Sequence, residues 1–150
     1  MSAISFFMPN LEATNDFARK IAGLCNEGDA ILLFGEVGSG KTSFARSFVR
    51  TLGSDETNVT SPTFTLIQYY IGKHGEKIYH SDLYRLKHKS ELEELGLWEN
   101  MENSINLIEW AEMIEEYLPN ALKIYMSING DGREAKLVGN ETWQKRLKNL

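Results

Sequence analysis

The chain is short of cysteine, of net positive charge and of long apolar runs, and each shortage closes off a class of protein. One of its 150 residues is a cysteine, Cys25. No disulfide can form within the chain, which fits a reducing, cytoplasmic setting. Cys25 falls among apolar residues at helical spacing and reads as a small core residue, not a reactive thiol. The formal net charge is −5, whereas proteins that grip nucleic acid through its phosphates usually present an excess of Lys and Arg. Unaided RNA or DNA binding is therefore not expected. The longest clear apolar run, residues 30–34, is too short to cross a bilayer, so no membrane span is expected. Residues 1–10 lack a charged start and a long apolar stretch, so they do not read as a secretory signal. There is no internal repeat, low-complexity tract or linker, and the length fits a single domain over 1–150.

The rest of the composition is that of a folded domain: 42% hydrophobic, 25% charged, with seven Phe, six Tyr and three Trp. That is too much apolar surface to leave in water. Residues 4–8 read as a short edge strand ended by Pro9. Asn10 caps a following helix whose apolar face runs from Leu11 through Phe17 and Ile21 to Cys25, closed by Gly28. Residues 30–34 read as a buried central strand. After a glycine cluster, residues 43–52 repeat Phe44, Phe48 and Leu52 at spacing four, a helix ended by Gly53. Residues 55–62 read as a loop and 63–71 as a strand, with a turn at 72–75 into a second strand, 77–81. A helix is expected over 89–98, a strand over 105–108 and a helix over 111–117. A hairpin follows, 122–128 with 134–138, then a helix capped by Asn140 that buries Trp143, Leu147 and Leu150.

The glycine cluster carries the sharpest signal. Gly35-Glu36-Val37-Gly38-Ser39-Gly40-Lys41-Thr42 is a full Walker A pattern, placed between a predicted buried strand and a predicted helix. A random chain of this length would show it roughly once in a few hundred cases, so chance is a weak rival. Gly35 and Gly40 let the backbone bend until successive N–H groups face one anion, and Gly38 adds freedom inside the loop. The helix that starts near Lys41 turns its positive end to the phosphates. Lys41 reaches the β- and γ-phosphates as a point charge, and the Thr42 hydroxyl is a ligand for Mg²⁺. The ligand expected is ATP with Mg²⁺, held by Glu36, Val37, Gly38, Ser39, Gly40, Lys41, Thr42 and Ser43. The fold class is α/β: a P-loop NTPase-like three-layer sandwich on a mixed, partly parallel sheet.

Phosphoryl transfer also needs carboxylates. Glu109 follows the apolar strand Ile105-Asn106-Leu107-Ile108, the Walker B arrangement, and can hold Mg²⁺ directly or through water. Asp82 ends the strand before it and has two readings of equal weight: an acid that binds metal-bound water or orients the nucleophile, or an N-cap for Leu83 onward. His80 shares its strand parity and either braces the carboxylate or serves the core. Ser61-Pro62-Thr63 reads by itself as a capped turn, and Trp110 by itself as a core residue.

Together these segments resemble one family, the bacterial ATPase TsaE of threonylcarbamoyladenosine tRNA modification. The resemblance rests on residues 35–42, then on Ser61-Pro62-Thr63-Phe64-Thr65-Leu66 and His80-Ser81-Asp82-Leu83-Tyr84-Arg85-Leu86. It continues through Glu94-Leu95-Gly96-Leu97 and Ile108-Glu109-Trp110-Ala111-Glu112. It implies that Lys41 and Thr42 serve the phosphates and Mg²⁺, that Glu109 is the Walker B-like acid, and that Asp82 is an active-site acid. It implies a switch role for Ser61-Pro62-Thr63, a place near the nucleotide base for Thr14, and a functional role for Trp110. The family works beside two partners, TsaB and TsaD. TsaD transfers the threonylcarbamoyl group to an adenosine next to the anticodon, and the ATPase supports turnover, meeting tRNA only through the complex. The family often has Asp in place of Glu36, Ala in place of Ser39, and Pro in place of Ala111.

The alternative is a P-loop small-molecule kinase, which normally needs a lid carrying arginines. Arg46, Arg50, Arg85 and Arg133 are scattered along the sequence. The guanine-reading motif Asn-Lys-x-Asp of GTPase switches is absent.

Overall fold

The computed structural model describes residues 3–53, 59, 67–88, 90–94 and 96–150. A seven-stranded sheet runs through them in the order β1-β7-β6-β2-β5-β4-β3. The strands are β1 (Ala3–Met8), β2 (Ala30–Phe34), β3 (Ile67–Ile71), β4 (Lys77–Asp82), β5 (Ser104–Glu109), β6 (Leu122–Asn129) and β7 (Gly132–Val138). The helices are α1 (Leu11–Gly23), α2 (Lys41–Leu52), α3 (Ser90–Glu94) and α4 (Glu141–Arg146).

β2 lies at the centre and all five of its residues are buried. It pairs in parallel with β5 and β6, and β4 pairs in parallel with β5. The antiparallel pairs β1–β7, β6–β7 and β3–β4 finish the two sides. This is the expected mixed, partly parallel sheet. A continuous apolar run is what a strand covered on both faces needs, and β2 shows why. Ile31 and Leu33 join one core with Phe17, Ile21, Phe44, Phe48 and Trp143, under α1, α2 and α4. Ala30, Leu32 and Phe34 join a second core with Leu86, Leu92 and Ile114 on the other face.

Several boundaries differ from expectation, each for a local reason. α1 ends at Gly23, not at Gly28, because the Asn26 N–H is taken by the Asp29 carboxylate in a tight turn. Such side-chain-to-backbone bonds compete with helix continuation. The helix expected over 89–98 is described only as Ser90–Glu94, with turns from Gly96 onward. The helix expected over 111–117 is two 3₁₀ turns, Ala111–Met113 and Glu115–Tyr117. The segment is entered from the left-handed backbone of Trp110 and stopped by Pro119, and its N–H groups reach back three residues, Ile114 to Ala111, Tyr117 to Ile114 and Leu118 to Glu115. Ser61-Pro62-Thr63 and the first part of the strand expected over 63–71 lie outside the described residues. No helix among the described residues is long and apolar enough to cross a membrane.

Candidate functional site: a phosphate-loop cleft at the strand ends

Three parallel strands, β2, β5 and β4, end side by side, and each delivers a sequence-predicted group. β2 runs into Gly35, β5 ends at Glu109 and β4 at Asp82. The register places Glu109 beside Leu33 on one side and beside Asp82 on the other. Ligands of open α/β sheets bind outside these carboxyl ends. A cleft of about 600 Å³ opens there, lined by Thr14, Val37, Gly38, Gly40, Lys41, Thr42, Ser43, His80, Asp82, Glu109 and Trp110, with Arg46 and Arg133 at its wall. Arg46 and Arg133, far apart in sequence, thus both line one cleft.

The loop between β2 and α2 is built on close backbone approach. A Cβ on Gly35 would lie 2.4 Å from the Met126 carbonyl oxygen and 2.6 Å from the Ser39 hydroxyl, and its φ is +147°. Only glycine fits there. The Ser39 N–H donates to the Glu36 carbonyl at 3.1 Å, which tightens the loop. α2 then starts after Gly40, which has no side chain to cap it, and its first turn carries no acid. By contrast, α1 is capped by the Asn10 side chain and carries Glu12 in its first turn. The α2 N-terminus therefore keeps its positive end open toward the cleft.

Lys41 is buried, yet its ammonium has no hydrogen-bond partner among the described residues; neither has the buried Ser39 hydroxyl. The Lys41 Nζ lies 3.6 Å from the centre of the Trp110 ring. Burial lowers the Lys41 pKa, and Glu109, Asp82 and Glu112 pull it back up. A buried cation with open donors, beside an uncapped helix start, is a setting that suits an anion. Glu36 is exposed and contributes its carbonyl to the loop, while Ser39 is buried beneath it.

The acids are held differently. Glu109 accepts from His80 Nε2–H at 2.6 Å, and both side chains are buried. His80 therefore braces Glu109 rather than its own strand neighbour. Asp82 accepts the Tyr84 N–H at 3.0 Å, a turn closed two residues on, so it caps no helix. Thr14 is buried in the cleft wall, and its hydroxyl donates back to the Asn10 carbonyl at 3.5 Å. Among the described residues Trp110 is the one non-glycine with positive φ, at 55°. It packs on Tyr84 with ring centres 4.8 Å apart, at the cleft and not in the core. The left-handed backbone and the cation contact of Trp110 carry no mark in the sequence pattern.

A protein-family model described as threonylcarbamoyl adenosine biosynthesis protein TsaE matches residues 8–137. The chain belongs to the TsaE family. Relatives named tRNA threonylcarbamoyladenosine biosynthesis protein TsaE bear this out. The one from Rickettsia bellii is 38% identical over 131 residues, 87% of this chain and 90% of the relative. The one from Bacillus subtilis is 38% identical over 133 residues, covering 87% and 82%. The one from Haemophilus influenzae is 32% identical over 154 residues, covering 98% and 96%. Among solved structures, the crystal structure of Bacillus subtilis YdiB superposes with a TM-score of 0.77 at 30% identity, covering 98% of this chain and 93% of that one. The TsaE fold is thus shared over nearly the whole chain.

Proposed function

We propose that this TsaE-family chain is a Mg²⁺-dependent ATPase that acts as an accessory subunit in tRNA threonylcarbamoyladenosine modification and supports turnover of a TsaB–TsaD transferase pair. The observation that carries the reading is the buried Lys41 ammonium, without a hydrogen-bond partner among the described residues, beside the uncapped start of α2, with two carboxylates at the adjoining strand ends. The pathway comes from the names that the family and its relatives carry.

In this reading the loop N–H groups and the α2 N-terminus bind the phosphates, and Lys41 offsets charge that develops on them during transfer. Thr42 and Glu109 would hold Mg²⁺, which would supply positive charge to offset that of the phosphates. Mg²⁺ commonly takes only one or two protein ligands and keeps waters and phosphates for the rest, which suits a donor set this small. His80 orients Glu109 from behind, as outer hydrogen bonds do for metal-holding carboxylates. Asp82 is then the group left to orient the attacking water. Thr14 and the α1 start form the wall where the base would lie.

The test is ATP hydrolysis with purified components. The chain alone hydrolyses slowly, and adding TsaB and TsaD raises the rate. Asp82→Asn lowers the stimulated kcat by about 10²-fold or more at an unchanged Mg²⁺ requirement, whereas Glu109→Gln raises the Mg²⁺ concentration needed. Equal rates with and without the partners would refute the accessory role. A large rate that depends on an added small-molecule acceptor would favour the kinase alternative.

A further inference from the structure

Arg133 stands next to Gly132 at the start of β7, 95 residues away from the loop it touches. Its Nε–H donates to the Gly38 carbonyl at 2.8 Å. One terminal N–H donates to the Gly132 carbonyl, also at 2.8 Å, which fixes the guanidinium to its own strand. The Arg133 stem packs 3.7 Å from where a Cβ on Gly40 would stand. The base of this side chain is firmly set, because residue 133 pairs with Met8 on one side and Ile128 on the other.

The consequence follows from peptide geometry. In a trans peptide the carbonyl of one residue and the N–H of the next point in opposite directions, and no described peptide bond is cis. The Gly38 carbonyl faces Arg133, so the Ser39 N–H faces the other way, where it donates to the Glu36 carbonyl at 3.1 Å. The Gly38–Ser39 plane is therefore held from both sides. Gly38 itself has φ +88° and no side chain to hinder rotation of that plane. Without the guanidinium, the turn bond is the one hydrogen bond left on that plane among the described residues. A flip would break the Ser39–Glu36 turn bond, set the Gly38 carbonyl against the Glu36 carbonyl and free the neighbouring loop amides to change direction.

We infer that Arg133 is a positioning residue of the phosphate loop: it locks the Gly38–Ser39 peptide and so holds the loop in one backbone shape for a nucleoside di- or triphosphate. The inference rests on the reading of the cleft as a nucleotide site, but the lock itself exists without nucleotide. Because Arg133 acts through the loop backbone, ADP and ATP are affected alike. Because it sits on the β6–β7 hairpin, a displacement of that hairpin reaches the phosphate loop directly.

Two variants of the full chain test it. Arg133→Met keeps the stem and removes every donor, while Arg133→Lys keeps one donor and the charge. In nucleotide-free protein, amide hydrogen exchange at Ser39, followed by NMR, is expected to quicken about tenfold or more in Arg133→Met and less in Arg133→Lys. In calorimetric titrations, ADP and ATP affinities fall together by about tenfold in Arg133→Met, the scale of one lost charge-assisted hydrogen bond, and by less in Arg133→Lys. Melting temperatures of the two variants stay within a few degrees of each other. Unchanged Ser39 exchange in Arg133→Met overturns the inference. So does equal damage from both variants accompanied by a large fall in melting temperature, which would assign Arg133 to hairpin stability. If the wild-type chain binds neither nucleotide, the nucleotide reading falls, and Ser39 exchange alone still decides whether the lock exists.

Discussion

At the scale of single residues, Lys41 shows most directly what the cleft costs and what it offers. Burial pulls its pKa below the ordinary 10.5, and Glu109, Asp82 and Glu112 restore part of the loss. The charged form is thus disfavoured by folding at every pH below the lowered pKa, and the penalty fades as pH rises toward 10.5. Lys41→Met removes the buried charge and keeps a stem that can pack on Trp110. The nucleotide-free variant is expected to melt at or above the wild-type temperature at neutral pH, with its advantage shrinking as pH rises toward 10.5. With Mg²⁺–ATP the order inverts, because the variant loses affinity by roughly tenfold to a hundredfold, the 1.5–3 kcal/mol scale of a charge-assisted contact. Thermal melts with and without nucleotide measure both effects. Lys41 and the two strand-end acids were legible because a glycine pattern and apolar runs fix their places. The partner of His80 was not. Its parity on β4 was readable, but its bond to Glu109 depends on how β4 and β5 are registered, and register is set across strands. The Arg133–Gly38 bond, 95 residues long in sequence, was hidden for the same reason.

At the scale of elements, the strongly periodic segments were read to within two residues: β2, α2, the β6–β7 hairpin and the capped start of α1. The Asn10 side chain accepts the Ala13 N–H at 2.9 Å, and the helix it caps forms one wall of the cleft. Asn10→Ala is expected to cost about 1 kcal/mol in urea unfolding, and Asn10→Gly only a few tenths. Equal losses in the two would show that the cap is not what Asn10 contributes. The elements misread were the short ones on the second face. α3 has five residues, and residues 111–117 form two separate turns. Their apolar residues, Leu92, Ala111 and Ile114, do enter the second core, so the hydrophobic signal was real. At this length periodicity cannot tell a helix from a succession of turns.

At the scale of the whole molecule, the α/β class and the mixed sheet were readable from the alternation of strand and helix signals. The strand order was not, because nothing local says that β6 returns to lie beside β2. The far end of the chain nevertheless closes the larger core. Trp143 is fully buried with α1 and α2, and Arg146 pairs with Asp29 at 2.6 Å across 117 residues of sequence. Trp143→Ala is expected to destabilise the whole domain by about 3–5 kcal/mol, measured as one cooperative unfolding transition. A loss below about 1 kcal/mol, or a separate early transition, would mean that α4 is an appendage to the core and not part of it.

The central claim is that a bent glycine loop, an uncapped helix start and a buried ammonium together form a triphosphate site. Calorimetric titration of Mg²⁺–ATP into the folded chain and into its Lys41→Met variant tests it most directly. One saturable site in the wild type, weakened at least tenfold in the variant, is the expected result. No saturable binding to the wild type, or the same affinity in both proteins, would contradict the claim.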